Sequence, residues 1–192
     1  MNRAATVAIG LALLAAIGGA QRLVPDADLT YRPIATSGVV GEEVRVLPYT
    51  FRVDGVDLGR TLRLEKSFGD QTMTTGGVWV VVRAGAAATT EQVTLGTAVL
   101  RSADGAEFAV SDRVLGLEGE SLQAGIWRKG ALAFEILPGQ VEGARLVISK
   151  ARYSSIHRLN GALGPAVEID LGLTRERLAA AGPTVTIKES AP

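Results

Sequence analysis

Hydrophobic and polar positions alternate with a period of two through much of this chain. Val44 and Val46 alternate with Glu43 and Arg45, Phe51 and Val53 with Arg52 and Asp54, and Leu62 and Leu64 with Thr61, Arg63 and Glu65. Successive side chains of an extended strand point to opposite faces, so each stretch predicts one dry and one wet face. Leu132, Phe134 and Ile136 repeat the pattern, as do Val167, Ile169 and Leu171 against Glu168 and Asp170. Leu146 and Ile148 mark a further strand, and Val185 and Ile187 a last short one. The run Val78-Trp79-Val80-Val81-Val82 is continuously apolar and β-branched, which predicts a central strand with Trp79 in the core. Val93 to Leu100 predicts a strand in which Gly96 marks a bulge or a close backbone approach. Ser102-Ala103-Asp104-Gly105 predicts a hairpin turn, after which Phe108 and Val110 restart a strand. Phe68 to Gly77 and Gly85 to Thr90 carry turn and loop chemistry. Arg113 to Trp127 is the least regular section, a short helix or a loop crossing between sheets.

One short helix is signalled in the body of the chain. Thr174 can cap it, Leu173 and Leu178 stand at hydrophobic-staple spacing, and Gly182-Pro183 ends it. About nine short strands with Gly-rich turns and so little helix predict an all-β chain, a β-sandwich.

The first residues break the pattern. Residues 4 to 20 hold no charge and only Thr6 as a polar side chain, with Arg3 before them and Gln21 and Arg22 after. As a helix they would extend roughly 25 Å, near the lower limit for a bilayer span. A basic start, an apolar stretch and small residues at Gly18 and Ala20 also lay out a secretory signal cut after Ala20. Residues 1–20 are therefore read as a signal peptide or a membrane anchor. Arg3 on the N-terminal side predicts that the remaining chain faces outward, single-pass in the cell membrane or else secreted. Pro25 and Pro33 interrupt helix, and Asp26 and Asp28 favour water, so residues 21–37 read as a tether. Residues 38–192 are left for the sandwich.

Composition narrows the function classes. The 192 residues carry 20 basic and 20 acidic side chains, so the electrostatic footprint of a nucleic-acid binder is missing. A hydrophobic fraction of 47% at zero net charge is too apolar for a disordered chain. The absence of Cys excludes disulfides, thiolate zinc sites, a thiol nucleophile and a lipid-modified cysteine.

No phosphate-binding Gly-rich loop, nucleophile elbow or Ser-x-x-Lys set occurs. The single His157 lies in Ser154-Ser155-Ile156-His157-Arg158, where neighbouring side chains of an extended chain point apart and no nearby carboxylate orients the ring. Paired acids at Glu42-Glu43, Asp54/Asp57, Glu118/Glu120 and Glu168/Asp170 read as wet strand faces. Glu118 and Glu120 would share one face if their segment were extended, which makes them the best carboxylate pair for a hydrolase. Asp104 and Asp54/Asp57 match no calcium loop. No catalytic, cofactor-binding or metal-binding residue is assigned. Trp127 stands out in Gly125-Ile126-Trp127-Arg128-Lys129-Gly130, between two glycines and beside two cations. Trp127, Arg128 and Lys129 compose a partner contact; the alternative is a Trp that covers one open end of the sandwich.

Residues 38 to 150 also resemble a bacterial extracytoplasmic immunoglobulin-like family, domain-of-unknown-function family 4352. The resemblance is carried by Gly41-Glu42-Glu43-Val44, Phe51-Arg52-Val53, Trp79-Val80-Val81-Val82, Val93-Thr94-Leu95, the stretch Leu100 to Phe108, the stretch Gly130 to Pro138, and Ala144-Arg145-Leu146-Val147-Ile148. Family members often carry an Asn in the turn after the central strand, where Arg83-Ala84-Gly85 stands here. The resemblance implies an immunoglobulin-like β-sandwich outside the membrane, behind a signal, lipobox or single hydrophobic helix. It transfers no active residues. Residues 151–192 would add C-terminal strands and the short helix.

The expectation is a noncatalytic extracytoplasmic module that binds a protein or an envelope component, with membrane contact through residues 4–20. Two alternatives stand beside it. One is an accessory subunit of a membrane transport complex, for which Gly10, Gly18 and Gly19 offer small packing surfaces. The other is a hydrolase.

Overall fold

The computed structural model describes residues 3–23, 33–66, 69–114, 116–150 and 164–188. The chain divides into two units, Met1–Arg32 and Pro33–Pro192. The first holds helix α1, Arg3–Leu23. Its described side chains, residues 9–19, are all exposed. They extend only about 16 Å at 1.5 Å per residue. Among the described residues no helix is long and apolar enough to cross a membrane.

The second unit is mostly strand, arranged as two sheets. The strands are β1 (Ile34–Val39), β2 (Glu43–Val46), β3 (Tyr49–Glu65), β4 (Gln71–Ala88), β5 (Val93–Arg101), β6 (Glu107–Ala109), β7 (Ser121–Leu122), β8 (Arg128–Ile136), β9 (Arg145–Lys150), β10 (Pro165–Asp170) and β11 (Thr184–Lys188). Helix α2, Arg175–Ala179, precedes β11. One sheet runs β1-β10-β9-β5-β6, with β7 on β5; the other runs β11-β3-β4-β8, with β2 on β3. β1 lies parallel to β10 and β11 parallel to β3; the other ladders are antiparallel.

The alternating positions meet between the sheets. Phe51, Val53, Val80, Val82, Leu132 and Phe134 of one sheet form a single buried cluster with Leu95, Leu100, Leu146, Ile148, Val167 and Ile169 of the other. Each fully buried side chain of this size stabilises by about 1.5–3 kcal/mol, which makes the cluster the dominant cohesive term. Tyr49 spans the layers: its buried hydroxyl donates to the Ile148 carbonyl at 2.9 Å. Burial pushes that phenol well above its ordinary pKa.

Several expected elements end elsewhere. Phe68–Gly77 is not a loop throughout, because β4 begins at Gln71. Its pairing runs Leu64↔Gln71 to Thr61↔Thr74, then resumes at Gly59↔Trp79, so residues 75–78 of β4 face Arg60 alone. Gly76-Gly77 therefore absorbs a fold inside a long strand, where sequence reading sees a turn. A Cβ on Gly77 would lie 2.4 Å from the Ile136 carbonyl oxygen, so only glycine fits. The fold lets Leu62, Leu64 and Met73 of the hairpin tip form a second cluster with Trp79, Val81, Ala131, Ala133 and Val185. Trp79 is core, 1% exposed, but it belongs to this outer cluster and not to the space between the sheets.

Gly85–Thr90 is likewise strand as far as Ala88. Its small residues pack opposite large ones, Phe51 pairing with Ala86 and Tyr49 with Ala88. The tether expected over 21–37 is narrower: α1 runs to Leu23 and β1 starts at Ile34. Sequence reading misses β1 because its side chains are nearly all exposed, so no alternation betrays an edge strand held by its backbone ladder. The rest of that segment, 24–32, lies outside the described residues, as does His157. Three finer expectations hold. β5 carries a register shift between Leu95 and Ala98, around Gly96. Gly105 turns at φ 89° between β5 and β6. The Thr174 hydroxyl accepts from Arg177 N as the cap of α2.

Candidate functional site

The strand directions give the sandwich two ends. β1, β3, β5, β8 and β10 start, and β2, β4 and β9 finish, at the end nearest in sequence to α1. We call it the proximal end and its opposite the distal end. Trp127 sits at the proximal end. Gly125, at φ 72°, donates its N–H to the Ala88 carbonyl at 3.0 Å and turns the chain into β8. Arg128 then pairs with Ala86 and Gly130 with Ala84. Trp127 is thereby laid over Gly85: a Cβ there would stand 3.1 Å from the indole Cε3. Neighbours Ala84 and Ala86 belong to the inner core, so the Trp lies on the outer face of the sheet and does not plug its open end.

The Arg52 guanidinium stands 5.4 Å from the ring centroid of Trp127, a cation–π contact, while its Nε donates to Asp54 at 2.7 Å. Trp127 keeps 37% of its surface, and Ile126 beside it 54%. Arg128 approaches Glu120 at 3.6 Å with half its side chain exposed. Lys129 is exposed and, among the described residues, makes no ion pair. Arg128 pairs with inward-facing Ala86 and so lies on the opposite side of β8 from Trp127 and Lys129, to whose outer face the structure adds Arg52 and Gly85. Neither was visible in the sequence, because both act across strands far away in the chain.

The paired acids go elsewhere. Leu117 to Glu120 is a turn closed by Glu120 N on the Leu117 carbonyl at 3.3 Å, with Gly119 at φ 75°. Glu118 and Glu120 therefore share no strand face, which corrects the best carboxylate pair. Glu118 is half-buried, and that burial raises its carboxyl above the usual range despite a hydrogen bond from the Ala98 backbone. Asp54 pairs with Arg52 and Asp57 with Arg83. Glu168 stands between Arg101 and Arg145 at 3.6 and 3.2 Å, and Asp170 accepts from Gly172 N at 2.9 Å. Asp104 accepts from the Ser102 hydroxyl, from Ala106 N at 3.3 Å and from Gln140 Nε2 at 3.4 Å. These bonds, Ser102 first, hold its carboxyl below the usual range. Among the described residues no group of three or more acids or histidines is placed to hold a metal.

Two clefts open beside α2. One, of about 420 Å³, is bounded by Asp57, Arg83, Arg177, Thr184 and Thr186. Arg177 faces it but is tied down: Nη1 donates to the Leu171 and Gly172 carbonyls at 3.0 and 3.1 Å, and Nη2 to the Val56 carbonyl at 3.1 Å. That cation clamps α2 to β3, a role that helix periodicity alone does not reveal. The other cleft, of about 550 Å³, lies between Arg60, Val78, Pro138, Leu178 and Pro183 and is mainly apolar.

No family model matches the chain, and no curated protein matches its sequence. Among solved structures the chain is similar to the yjhA protein from Bacillus subtilis, at 18% identity and a TM-score of 0.47, covering 69% of this chain and 99% of that one. It is also similar to a β-sandwich protein from Clostridium difficile 630, at 11% identity and a TM-score of 0.44, covering 73% of this chain and 96% of that one. A third is the secreted protein MPT63 from Mycobacterium tuberculosis, at 14% identity and a TM-score of 0.46, covering 70% and 97%. With scores below one half, the assignment of a β-sandwich rests on this chain's own two sheets and the core between them.

Proposed function

We propose that this protein is a noncatalytic interaction module of the cell exterior, an immunoglobulin-like sandwich that is tethered to the membrane by residues 4–20 or exported by means of them. The observation that carries the reading is the seating of Trp127. An aromatic side chain seated against Gly85 and Arg52, with more than a third of its surface open and Lys129 on the same face, is a preorganised contact anchor. Its rigidity matters because a side chain already fixed loses little entropy on binding. The tether is supported by the uncharged run of residues 4–20 that follows Arg3. Membership of family 4352, which the sequence resemblance implies, is part of the same proposal.

In-cell photo-crosslinking tests the reading. A benzophenone amino acid at Ile126, beside the anchor, is expected to capture a discrete neighbour, while the same probe at Leu137, at the distal end and 62% exposed, is expected not to. Equal yields at both positions, or none at Ile126, would overturn it.

A further inference from the structure

The sheet edges of the sandwich differ in how they are closed. β6, at one side of its sheet, has three residues and carries Glu107, which pairs with Arg101 at 2.9 Å. On β8 the Ala133 carbonyl accepts from Ser111 N at 2.7 Å. β2 carries Glu43 and Arg45, and β11 carries Lys188. Charge, brevity and cover are devices that keep an edge from recruiting another strand. β1 has none of them among the described residues. It pairs with β10 alone, in an unbroken register from Ile34↔Pro165 to Val39↔Asp170, and it holds no charge and no proline. Five of its six residues are exposed, Ile34 at 69%.

The backbone of β1 fixes which polar groups are left over. Ile34 N donates to the Gly164 carbonyl at 2.8 Å, toward β10. With a period of two, Thr36 and Gly38 turn their N–H and C=O groups the same way, and Ala35, Ser37 and Val39 turn theirs to the open side. Val39 is already satisfied there: its N–H donates to the Glu42 carboxylate at 3.2 Å, and its carbonyl accepts from Glu42 N at 3.1 Å. The free donors and acceptors that remain belong to Ala35 and Ser37, placed symmetrically about Thr36. We infer that β1 is a self-pairing edge, to which a second copy of this chain adds its own β1, antiparallel about a two-fold axis that passes between the two Thr36 residues. Ala35 then faces Ser37 of the second copy, and every free group on both strands is used. The neighbouring registers fail. Setting Ala35 on itself brings Ser37 against Pro33, which has no N–H, and setting Ser37 on itself brings Ala35 against the occupied Val39. The side chains agree. Thr36 meets a second Thr36, a favourable cross-strand pair, and Ile34 lies opposite Gly38, with no charge on either strand to repel. Glu168 and Asp170 on β10, and Glu42 in the turn after β1, are each engaged within their own copy. A two-fold contact of this kind closes on itself, so its product is a dimer and not a fibre. The inference stands apart from Trp127 and from the reading of residues 4–20.

The chain has no cysteine, so an introduced one reports the register directly. Facing residues at a non-hydrogen-bonded antiparallel site stand about 4.5 Å apart at Cα, within disulfide reach. The full chain in mild detergent carrying Thr36→Cys is expected to form a covalent dimer on oxidation, while Leu137→Cys, exposed after β8, gives only the yield of random collision. Sedimentation equilibrium measures the association itself, which a contact this small, below about 1,200 Å², leaves weak and quick to exchange. Thr36→Lys and Thr36→Glu, each with an unchanged far-ultraviolet spectrum, are expected to lower the association constant at least about tenfold, and mixing the two variants should restore it. Association through α1 or Trp127 would ignore position 36. A Thr36→Cys yield no higher than that of Leu137→Cys, or a Thr36→Lys variant that associates as the parent does, would overturn the inference. So would a parent that stays monomeric at every concentration. Protected Ala35 and Ser37 amides in hydrogen exchange would then mean that the edge is covered within the chain, and unprotected ones that it stays open to water.

Discussion

The two ends of the sandwich expose apolar side chains to a similar extent but treat charge in opposite ways. Distally, Val39, Val40 and Leu137 are exposed, as Ile34, Leu47 and Ile126 are proximally. Three distal charges, however, are absorbed by their own loops or by a neighbouring one. Glu42 accepts from Val39 N at 3.2 Å, Asp104 holds the β5–β6 turn through three donors, and Arg175 meets Glu142 at 2.7 Å. At the proximal end Lys129 and Arg45 make no ion pair among the described residues. The difference teaches that exposure alone does not mark a site. What distinguishes one is bonding capacity left over after the fold has satisfied itself.

The comparison is tested most severely where the proximal end joins the sheets. Tyr49→Phe deletes the hydroxyl bound to the Ile148 carbonyl in a dry environment. The expected loss is about 1–2 kcal/mol of unfolding free energy, read from the urea midpoint at constant slope. Gln140→Ala at the distal end removes only an exposed bond to Asp104 at 3.4 Å, so an equal loss there would break the contrast.

Trp127→Ala is the next test, at about 1 kcal/mol, because it removes the packing on Gly85 and the Arg52 contact but opens no sealed core. Leu137→Ala at the distal end should stay within about 0.5 kcal/mol. Gly85→Val should reproduce the spectral change of losing the Trp127 seat without altering the indole itself, since even its Cβ would crowd the ring at 3.1 Å. Near-ultraviolet dichroism reads that change. An undisturbed Trp signal in Gly85→Val would show that the seat is not what orders the ring.

Much of this organisation was legible in the sequence, and the parts that were not share a cause. Period-two alternation located β2, β8, β9 and β10, because each buries one face. β1 escaped because it buries neither face, and the first half of β4 because Gly76-Gly77 within a strand resembles a turn. Trp127, Arg128 and Lys129 could be singled out locally. Arg52, Asp54 and Gly85 could not, because their relation to Trp127 exists only once β3, β4 and β8 lie side by side. Arg177 reads as a helix-surface charge until the fold brings Val56, Leu171 and Gly172 around it.

Titration separates the ends more gently. Asp104 belongs to the distal turn, and its carboxyl is held below the usual 3.8, chiefly by the Ser102 hydroxyl. The unfolded chain therefore takes up the proton first as pH falls. The stability that Asp104 contributes is complete above 3.8 and is lost as pH drops through the lower folded value. Asp104→Asn should flatten that acid limb in urea midpoints measured across pH.

Glu118, in the turn beside β5 on the proximal side, should show the reverse sign and the smallest effect. Burial raises its carboxyl above 4.5, and the Ala98 backbone bond offsets only part of that. As pH rises from 4.5 to the raised folded value, the unfolded chain releases its proton while the folded chain still holds it. The folded state is then penalised, so stability declines across that window and stays lower above it. Glu118→Gln removes the titrating group and should cancel the decline, leaving the variant slightly more stable than the parent at neutral pH and equal to it in acid. Because the group remains partly exposed, solvent screens the effect to a fraction of what full burial would give. The two variants together give the contrast its sharpest form: one removes a loss on the way down in pH, the other a loss on the way up. If both shifted the midpoint profile in the same direction, charge at the two ends would be governed by net charge alone and not by local satisfaction.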